Sequence, residues 1–448
     1  MSNRKLFGTD GARGEANVEL TARIALDMGA AGATVLTKEN KRPNILIARD
    51  TRLSCDMLEA ALSAGISSVG ADVHTAGVLP TPAVAYLVRH YGFDAGCMIS
   101  ASHNPFHDNG IKFFNREGYK LSDELEEEIE QLMFEGELPK PRGKDMGKTL
   151  TAEAALQDYA AYLKQTVGHI DLSGVKIALD CANGATYKAA PKVFSELGAD
   201  ITTLSNSPNG LNINDHCGST HMDGIVAHVK ADKPHIAFAF DGDGDRCHAV
   251  DENGDIIDGD IVMSIIANHL KEQNKLNHNA FVATVMSNLG LFIMAEERGL
   301  KAVQTKVGDR YVLEEMLKGG YNLGGEQSGH IIFLDHSTTG DGILTALMLT
   351  KVMAEKKQPL SELAKIMKQL PQALVNAKIP NDAKERVLSA TAAVTELNAL
   401  NAKFEGNGRV LVRPSGTEPL VRVMIEGQDL DDINKEAQKF ARLLESLV

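Results

Sequence analysis

Residues 235–246 read HIAFAFDGDGDR, an apolar run that ends abruptly in three aspartates separated by single glycines. Two other stretches follow the same plan, in which an apolar run, a helical segment and a second apolar run lead into a polar loop. The first covers residues 44–104 and the last covers residues 280–330. Short apolar runs that alternate with helices predict parallel strands covered by helices on both faces. The sequence therefore predicts three related mixed α/β domains.

The three polar loops come at equivalent places in this plan. They are the serine loop, SASHNP at residues 100–105, the acid loop, DGDGDR at residues 241–246, and the third loop, GGEQSGH at residues 324–330. In open α/β sheets, ligands bind beyond the carboxyl ends of the strands. Because each loop follows a predicted strand, we expect the loops to carry the function.

The last part of the chain has a different order. After a break near residues 369–382 it reads as a strand, a helix over 383–400, two strands within 409–427 and a final helix, which predicts a smaller α+β domain. A chain of 448 residues also exceeds the size of a single core. We expect four domains. Their predicted bounds are 1–150, 151–256, 257–369 and 370–448.

Composition excludes several classes of protein. A net charge of −14 argues against a general nucleic-acid binder, which normally has a basic face. The five cysteines form no C-x-x-C pair, as is typical of a reducing compartment. No apolar run approaches the length of a membrane span, and the N-terminus has no signal-peptide pattern. We expect a cytoplasmic protein that binds neither membrane nor nucleic acid.

The acid loop predicts a metal site. Its glycines allow Asp241, Asp243 and Asp245 to converge, and a divalent cation would remove the repulsion between them. Oxygen ligands suit Mg²⁺ or Ca²⁺. A calcium-binding helix-loop-helix is one alternative, since Glu252 also fits its spacing, but Arg246 occupies the position that requires glycine and the flanks are strand-like. A solvated acidic turn is the other alternative.

Ser102 in the serine loop is a candidate nucleophile. No G-x-S-x-G elbow surrounds it, so a serine hydrolase is not indicated. A metal in the acid loop could neutralise a phosphate on this serine. A turn without chemistry, fixed by Asn104 and Pro105, is the alternative. If the phosphate hypothesis holds, the Ser102 hydroxyl must be accessible and must lie within about one helical pitch, ~5.4 Å, of the aspartates.

The motif RPSGTEP at residues 413–419 predicts an anion site. Arg413 can bind phosphate oxygens in a bidentate manner, while Ser415 and Thr417 donate hydrogen bonds and the glycine exposes backbone N–H groups. A plain hairpin turn explains the segment equally well.

Other polar groups suit a sugar phosphate, although ordinary surface turns fit them nearly as well. They are Glu326, Ser328 and His330 in the third loop, Thr9 and Arg13 in GTDGARG, and Lys112 in NGIKFF. Lys112 lies ten residues after Ser102 and could act as an acid or a base if its pKa is lowered.

Taken together, FGTDGARG, ISASHNPFHDNGIKFF, DGDGDR, GEQSGH and RPSGTEP resemble the motifs of the α-D-phosphohexomutase superfamily, in the same order and over the whole chain. That superfamily has three related α/β domains and a smaller α+β C-terminal domain around a central cleft. The resemblance implies the same fold here. The opening motif, the serine loop and the third loop are most similar to the branch that acts on glucosamine phosphates.

The resemblance also implies a reaction. Glucosamine 6-phosphate and glucosamine 1-phosphate would interconvert through a phosphorylated Ser102, with glucosamine 1,6-bisphosphate as intermediate and activator, and the product would feed UDP-N-acetylglucosamine synthesis. Arg246 would contact the transferring phosphate, and Lys112 or His330 would take the proton from the attacking hydroxyl. One Mg²⁺ would be bound by Asp241, Asp243, Asp245 and the phosphate on Ser102. The implied substrate-binding residues are Thr9, Arg13, His103, Glu326, Ser328, Arg413, Ser415, Gly416, Thr417 and Arg422.

The sequence leaves two alternatives open. One is a phosphomannomutase or phosphoglucomutase with the same chemistry, and the other is a non-catalytic protein that binds a sugar phosphate or calcium. The expected partner is a small sugar phosphate, and the assembly could be a homodimer.

Overall fold

The structure is a computed structural model that describes residues 6–8, 11–37, 42–415 and 419–448. Its first sheet has six strands in the order β1-β5-β4-β2-β3-β6. The elements of this region are β1 (Ala12–Glu15), α1 (Ala22–Leu36), β2 (Asn44–Arg49), α2 (Cys55–Ser68), β3 (Asp72–Val78), α3 (Thr81–Tyr91), β4 (Ala95–Ile99), β5 (Asp108–Asn115), α4 (Asp123–Glu135) and β6 (Thr149–Thr151). Strands β2, β3, β4 and β6 are parallel; the apolar runs predict β2 and β4, but not β3 or β6.

The second sheet has five strands and repeats this plan. Its elements are α5 (Ala155–Val167), β7 (Lys176–Asp180), α6 (Ala189–Glu196), β8 (Asp200–Leu204), α7 (Asp223–Asp232), β9 (Ile236–Phe240), β10 (Cys247–Val250) and β11 (Ile256–Ile257). β7 lies between β8 and β9 and is parallel to both. Every residue of β9 is buried, which explains its continuous apolar sequence.

The third sheet has the order β13-β12-β14-β15. Its elements are α8 (Gly259–Glu272), β12 (Ala280–Thr284), α9 (Leu289–Glu297), β13 (Lys301–Thr305), α10 (Asp309–Gly319), β14 (Leu323–Gly325), β15 (Ile331–Phe333), α11 (Gly342–Lys356) and α12 (Leu360–Ala364). β12 and β14 are parallel, whereas β14 and β15 are antiparallel.

The fourth sheet has three antiparallel strands in the order β16-β18-β17. Its elements are β16 (Gln372–Lys378), α13 (Lys384–Ser389), α14 (Thr391–Phe404), β17 (Arg409–Pro414), β18 (Leu420–Glu426) and α15 (Leu430–Glu445). The sequence predicts one helix over 383–400, but the backbone is extended at Ala390 and separates α13 from α14. The predicted α+β order is otherwise confirmed.

Each polar loop joins a parallel strand to a strand that returns antiparallel to it. The serine loop joins β4 to β5, the acid loop joins β9 to β10, and the third loop joins β14 to β15. The loops are therefore hairpin turns at the carboxyl ends of the parallel strands. The apolar runs predict the strand that begins each repeat and the strand that leads into its polar loop, but neither the strands between them (β3, β8 and β13) nor the return strands.

By its contacts the chain forms two compact units. The first contains residues up to 285 together with 303–366, and the second contains 286–302 together with 367–448. The three polar loops belong to the first unit, and the RPSGTEP strands belong to the second. Among the described helices, none combines the length and the apolar character that a membrane crossing needs.

Candidate active site

The first unit brings the three polar loops together. The Ser102 hydroxyl donates a hydrogen bond to Asp241 Oδ2 over 2.6 Å, although 139 residues separate the two. A backbone bridge between Arg246 and His330 joins the acid loop to the third loop. The distance from the Ser102 hydroxyl to Asp241 is well within the ~5.4 Å that the phosphate hypothesis requires.

Ser102 is less accessible than expected. It is 2% exposed and has a positive φ of 52°, which turns the chain sharply after β4. The acid loop packs directly over its carbonyl group, because a Cβ atom on Gly242 would lie only 2.5 Å from Ser102 O. The expectation of an exposed hydroxyl is therefore wrong. The atom that a sugar hydroxyl attacks is the phosphorus, one bond beyond Oγ, so the phosphate hypothesis requires that atom, rather than Oγ itself, to be accessible.

The acid loop has the features of a cation site. One carboxylate oxygen from each of Asp241, Asp243 and Asp245 lies within 4.8 Å of the others, and all three side chains are buried. Asp243 Oδ1 and Asp245 Oδ1 are buried without a hydrogen-bond partner. Buried carboxylate oxygens are normally paired or bound to a metal. The three residues therefore fit a divalent cation with a preference for oxygen ligands.

The aspartates of the acid loop differ in their ionisation. Burial, reinforced by the charges of Asp245 and Asp243, raises the pKa of Asp241 well above its ordinary value. Burial also acts to raise the pKa of Asp243, but the charge of Lys112 and hydrogen bonds from Thr81 and Lys112 outweigh it and lower that pKa. Asp243 is thus held as an anion, while Asp241 accepts a hydrogen bond from the Ser102 hydroxyl.

Two residues from the region of the first sheet, Lys112 and Thr81, donate hydrogen bonds to Asp243. Lys112 lies on β5, is 2% exposed, and its Nζ donates to Asp243 Oδ2 over 2.9 Å. Thr81 begins α3 and donates twice, from Oγ1 to Asp243 Oδ2 over 2.6 Å and from its backbone N–H to the Asp243 carbonyl over 2.9 Å. Sequence reasoning missed Thr81. The only local signal is its place before Pro82, where a helix begins.

His330 faces the acid loop rather than an open space. Its Nδ1 lies 3.4 Å from Asp245 Oδ2, and its Nε2 accepts a hydrogen bond from the backbone N–H of Gly340 over 3.1 Å. Burial opposes protonation, but the charges of Asp245 and Asp309 raise the pKa of His330 above its ordinary value. Both ring nitrogens therefore already have neighbours within the protein.

Two basic residues, His103 and Arg246, lie beside the pair formed by Ser102 and Asp241. The Nδ1 atom of His103 lies 3.4 Å from Ser102 Oγ. Burial, helped by the charges of Arg246 and Arg13, lowers the pKa of His103 to about 4, so this ring is neutral near pH 7. The backbone N–H of Arg246 donates to Asp241 Oδ1 over 3.2 Å, and its side chain is 26% exposed.

The third loop offers groups for a polar ligand. Glu326 Oε1 accepts a hydrogen bond from the backbone N–H of Gly308 over 2.9 Å. The Ser328 hydroxyl is buried and has no hydrogen-bond partner. An orphaned hydroxyl of this kind suits a ligand that supplies the missing partner.

The remaining candidates divide between the second unit and the undescribed residues. Arg413 on β17 and Arg422 on β18 lie directly opposite each other in the ladder, and Ser415 follows β17. Residues at such positions share one face of the sheet, so this pair brings two guanidinium groups together there. Thr9, Gly416 and Thr417 lie outside the described residues.

Family comparisons cover nearly the whole chain. Models described as Phosphoglucomutase/phosphomannomutase match it as alpha/beta/alpha domain I over residues 4–140, domain II over 157–254, domain III over 258–370 and C-terminal domain over 374–443. The chain belongs to the phosphoglucomutase/phosphomannomutase family. The predicted superfamily, and its fold of three α/β domains with a smaller C-terminal domain, are confirmed.

Within this family the chain is similar to named phosphoglucosamine mutases. It is 55% identical over 445 residues to the one from Caldicellulosiruptor bescii, covering 99% of both chains. It is 56% identical over 444 residues to the one from Ruminiclostridium cellulolyticum, covering 98% of this chain and 99% of the relative. Phosphomutases of this kind are isomerases, so the predicted class of reaction agrees with the relatives.

Solved structures of the family share the fold. A phosphoglucomutase/phosphomannomutase family protein from Burkholderia thailandensis aligns with a TM-score of 0.82 at 24% identity, covering 99% of this chain and 97% of its own. The N-acetylphosphoglucosamine mutase of Aspergillus fumigatus, solved with GlcNAc-6P and magnesium, aligns with a TM-score of 0.63 at 18% identity, covering 86% and 94%.

Proposed function

We propose that this chain catalyses the phosphoglucosamine mutase reaction, the interconversion of glucosamine 6-phosphate and glucosamine 1-phosphate. The observation that carries the proposal is the 2.6 Å hydrogen bond from the Ser102 hydroxyl to Asp241 in a buried three-aspartate cluster. The identity of about 55% to phosphoglucosamine mutases along the full chain supports the choice of substrate.

Ser102 carries the phosphoryl group between the two positions of the sugar. The bond from phosphorus to Ser102 Oγ breaks while a bond forms to O1 of glucosamine 6-phosphate, which gives glucosamine 1,6-bisphosphate; O1 loses its hydroxyl proton, and Ser102 Oγ ends as a hydroxyl. The bisphosphate turns end for end, its 6-phosphoryl group moves to Ser102 Oγ, which gives up its proton while O6 gains one, and glucosamine 1-phosphate leaves. Each transfer therefore uses the same serine oxygen and restores the phosphorylated enzyme.

Asp241, Asp243 and Asp245, with an oxygen of the Ser102 phosphate, would hold one Mg²⁺. The unsatisfied oxygens on Asp243 and Asp245 support this assignment, since both are buried without a hydrogen-bond partner. When bound, the ion supplies positive charge that offsets the charge on the transferring oxygens. A relative of the same fold was solved with magnesium, which is consistent with the choice of ion.

Lys112 has a different role here from the acid or base that its position in the sequence suggests. Its Nζ donates to Asp243 at 2.9 Å and keeps that carboxylate ionised. His330 is also a poor match for a general base, because Nε2 accepts the Gly340 N–H and Nδ1 faces Asp245. We assign both residues to holding the acid loop in place. Arg246, beside Asp241, is assigned to the transferring phosphate.

The remaining residues are assigned to binding the substrate. Glu326 and Ser328 would bind sugar hydroxyls, and His103, Arg13 and Thr9 would also bind the substrate. The phosphate that is not being transferred would be bound by Arg413, Ser415, Gly416, Thr417 and Arg422. The cross-strand pair of arginines on β17 and β18 supports the phosphate site.

Several broader predictions accompany this function. We propose the domain bounds 1–150, 151–256, 257–369 and 370–448, a cytoplasmic location and a role before UDP-N-acetylglucosamine synthesis. Light scattering coupled to gel filtration tests the predicted homodimer.

Substrate comparison and one substitution test the proposed function. We expect the highest kcat/KM with glucosamine 6-phosphate, and lower values with glucose and mannose 6-phosphates. Ser102→Ala should abolish turnover of all three, because it removes the oxygen atom that carries the phosphoryl group. A matched exposed-site variant, Ser195→Ala, should keep wild-type activity. Near-normal turnover by Ser102→Ala, or a preference for glucose or mannose phosphate, would refute the proposal.

A further inference from the structure

We propose that Asn214 is a positioning residue for phosphoryl transfer, because it holds the backbone of Ser102 in the conformation that aims Oγ at the acid loop. The inference rests on the function proposed above. Asn214 lies 112 residues after Ser102 and belongs to none of the polar loops.

Ser102 needs external support for its backbone conformation. Its φ of 52° lies in the left-handed region, where residues other than glycine are strained. Strained residues of this kind persist only where the surroundings fix them. The backbone N–H of Ser102 donates to Ser100 Oγ over 3.0 Å, which fixes one side of the residue.

The carbonyl of Ser102 is fixed by two side-chain donors, which we call the carbonyl clamp. Arg52 Nη2 and Asn214 Nδ2 each donate to Ser102 O over 2.9 Å. Asn214 Nδ2 also reaches the carbonyl of Asn104 at 3.1 Å. One amide group therefore contacts two carbonyls, two residues apart, and closes the serine loop.

The two donors of the clamp differ in what else they do. Arg52 is fully buried, pairs with Asp50 at 2.9 Å and also donates to the carbonyl of Pro105. Its removal would leave the buried carboxylate of Asp50 without the charge that pairs with it and would threaten the fold. Asn214 is 7% exposed and its amide donates to two backbone carbonyls rather than to a charged group, so it can be changed with less risk.

The acid loop has the space that the clamp needs. A Cβ atom on Gly242 would lie 2.5 Å from Ser102 O and 2.7 Å from Asn214 Nδ2. Glycine at this position therefore lets the acid loop, the amide of Asn214 and the Ser102 carbonyl share one small volume. The carbonyl and the hydroxyl of Ser102 are thus both held against the acid loop.

Loss of the amide should misplace the reacting oxygen without emptying the substrate site. With one of two donors gone, the peptide after Ser102 can rotate and relieve the strained φ. Ser102 Oγ then moves away from Asp241. Because a displacement of about 1 Å can reduce catalysis about 100-fold, the effect should appear in kcat.

Asn214→Gly is the sharpest test. Asn214 itself has a φ of 58°, which glycine adopts without strain, so the substitution removes the amide and leaves the backbone unstrained. We expect kcat with glucosamine 6-phosphate to fall about 10- to 100-fold. KM should change less than about threefold, since the clamp does not touch the sugar. Asn214→Asp should reduce kcat further, because it places a carboxylate oxygen against two carbonyls.

Asn274→Gly is the matched control. Asn274 is exposed and also has a positive φ, of 55°, but lies on a different turn after α8. It should keep wild-type kcat, KM and thermal unfolding temperature. Asn214→Gly should unfold at the same temperature as this control.

Each other outcome overturns the inference. Wild-type kcat in Asn214→Gly, a change confined to KM, or an unfolding temperature far below that of Asn274→Gly would assign Asn214 a different role. If the wild-type protein itself does not turn over glucosamine 6-phosphate, the proposed function fails. In that case a crystal structure of Asn214→Gly still tests whether Asn214 holds the Ser102 backbone. The inference requires that φ of Ser102 is no longer in the left-handed region in this variant.

Discussion

Asp243 keeps its negative charge although its side chain is completely buried. Lys112 supplies an ion pair at 2.9 Å, and Thr81 supplies a hydrogen bond at 2.6 Å to the same oxygen. The other oxygen of Asp243 is buried without a hydrogen-bond partner. One oxygen of Asp243 is therefore fixed by Lys112 and Thr81, and the other is available for a cation. Residues that hydrogen-bond to a metal ligand commonly orient it in this way.

Replacing Thr81 tests this orientation. Thr81→Val keeps the shape of the side chain but removes the donor that lowers the pKa of Asp243. We expect affinity for Mg²⁺ to fall about 10-fold or more, as measured by calorimetry without substrate. Thr81→Ser keeps a hydroxyl and should bind Mg²⁺ nearly as the wild type does. Equal affinities in the two variants would show that the hydrogen bond does not orient Asp243.

The functional residues on the loops were predictable from the sequence, whereas the residues that hold them in place by hydrogen bonds were not. Ser102 and the three aspartates stand out because each loop breaks an apolar run with an unusual set of side chains. Thr81 acts on a residue 162 positions later, and Asn214 acts on one 112 positions earlier. Such pairs depend on how separate sheets pack, which local sequence patterns do not specify.

Helix α11 begins beside the acid loop on a buried carboxylate. Asp341 accepts the backbone N–H of Leu344 over 2.9 Å as the N-cap, and accepts the hydroxyl of Tyr159 over 2.8 Å. The backbone N–H of Gly342 donates to the carbonyl of Gly244 over 3.0 Å, so the start of the helix supports the acid loop. Burial raises the pKa of Asp341 from 3.8 to about 6.

This raised pKa predicts a pH dependence of stability. The folded protein holds the proton of Asp341 more tightly than the unfolded chain does, so its contribution is greatest below pH 4 and is lost as the pH rises through 6. A shift of this size corresponds to about 3 kcal/mol in total and to about 1 kcal/mol between pH 5 and pH 7. Asp341→Asn has no proton to lose there.

Urea unfolding followed by circular dichroism measures the effect. Between pH 5 and pH 7 the wild type should lose about 1 kcal/mol more of its free energy of unfolding than Asp341→Asn does. Other titrating groups are common to both proteins and cancel in the comparison. Parallel pH curves would show that the pKa of Asp341 is not raised.

The elements themselves were predicted with specific exceptions. Buried parallel strands such as β9 were recognisable because their residues are apolar without alternation. The return strands β5, β10 and β15 were not recognisable, since a short run of mixed polarity after a loop does not indicate whether the strand runs parallel or antiparallel to the preceding one. The helix over 383–400 was predicted as continuous because Ala390 has a strong helix preference, yet its backbone is extended.

At the scale of the whole molecule, the four-domain order of the family and the two compact units divide the chain differently. Helix α9 lies within the predicted third domain, but residues 286–302 belong to the second unit with the C-terminal sheet. The backbone N–H of Leu289 donates to the buried Glu426 on β18 over 3.1 Å, and Asn288 binds the carbonyl of Leu370 over 2.9 Å. Sequence patterns indicate where each repeat of the domain begins and ends, but they do not show that residues 286–302 pack with the C-terminal sheet.

Transfer of labelled phosphate tests the central claim most directly. The protein is first phosphorylated with an isotopically labelled phosphoryl group, and the peptide containing Ser102 is identified by mass spectrometry. It is then mixed with glucosamine 6-phosphate for a single turnover. We predict that label leaves Ser102 at the rate at which it appears in the sugar bisphosphate and monophosphate. Product that forms while the label stays on Ser102 would contradict the account.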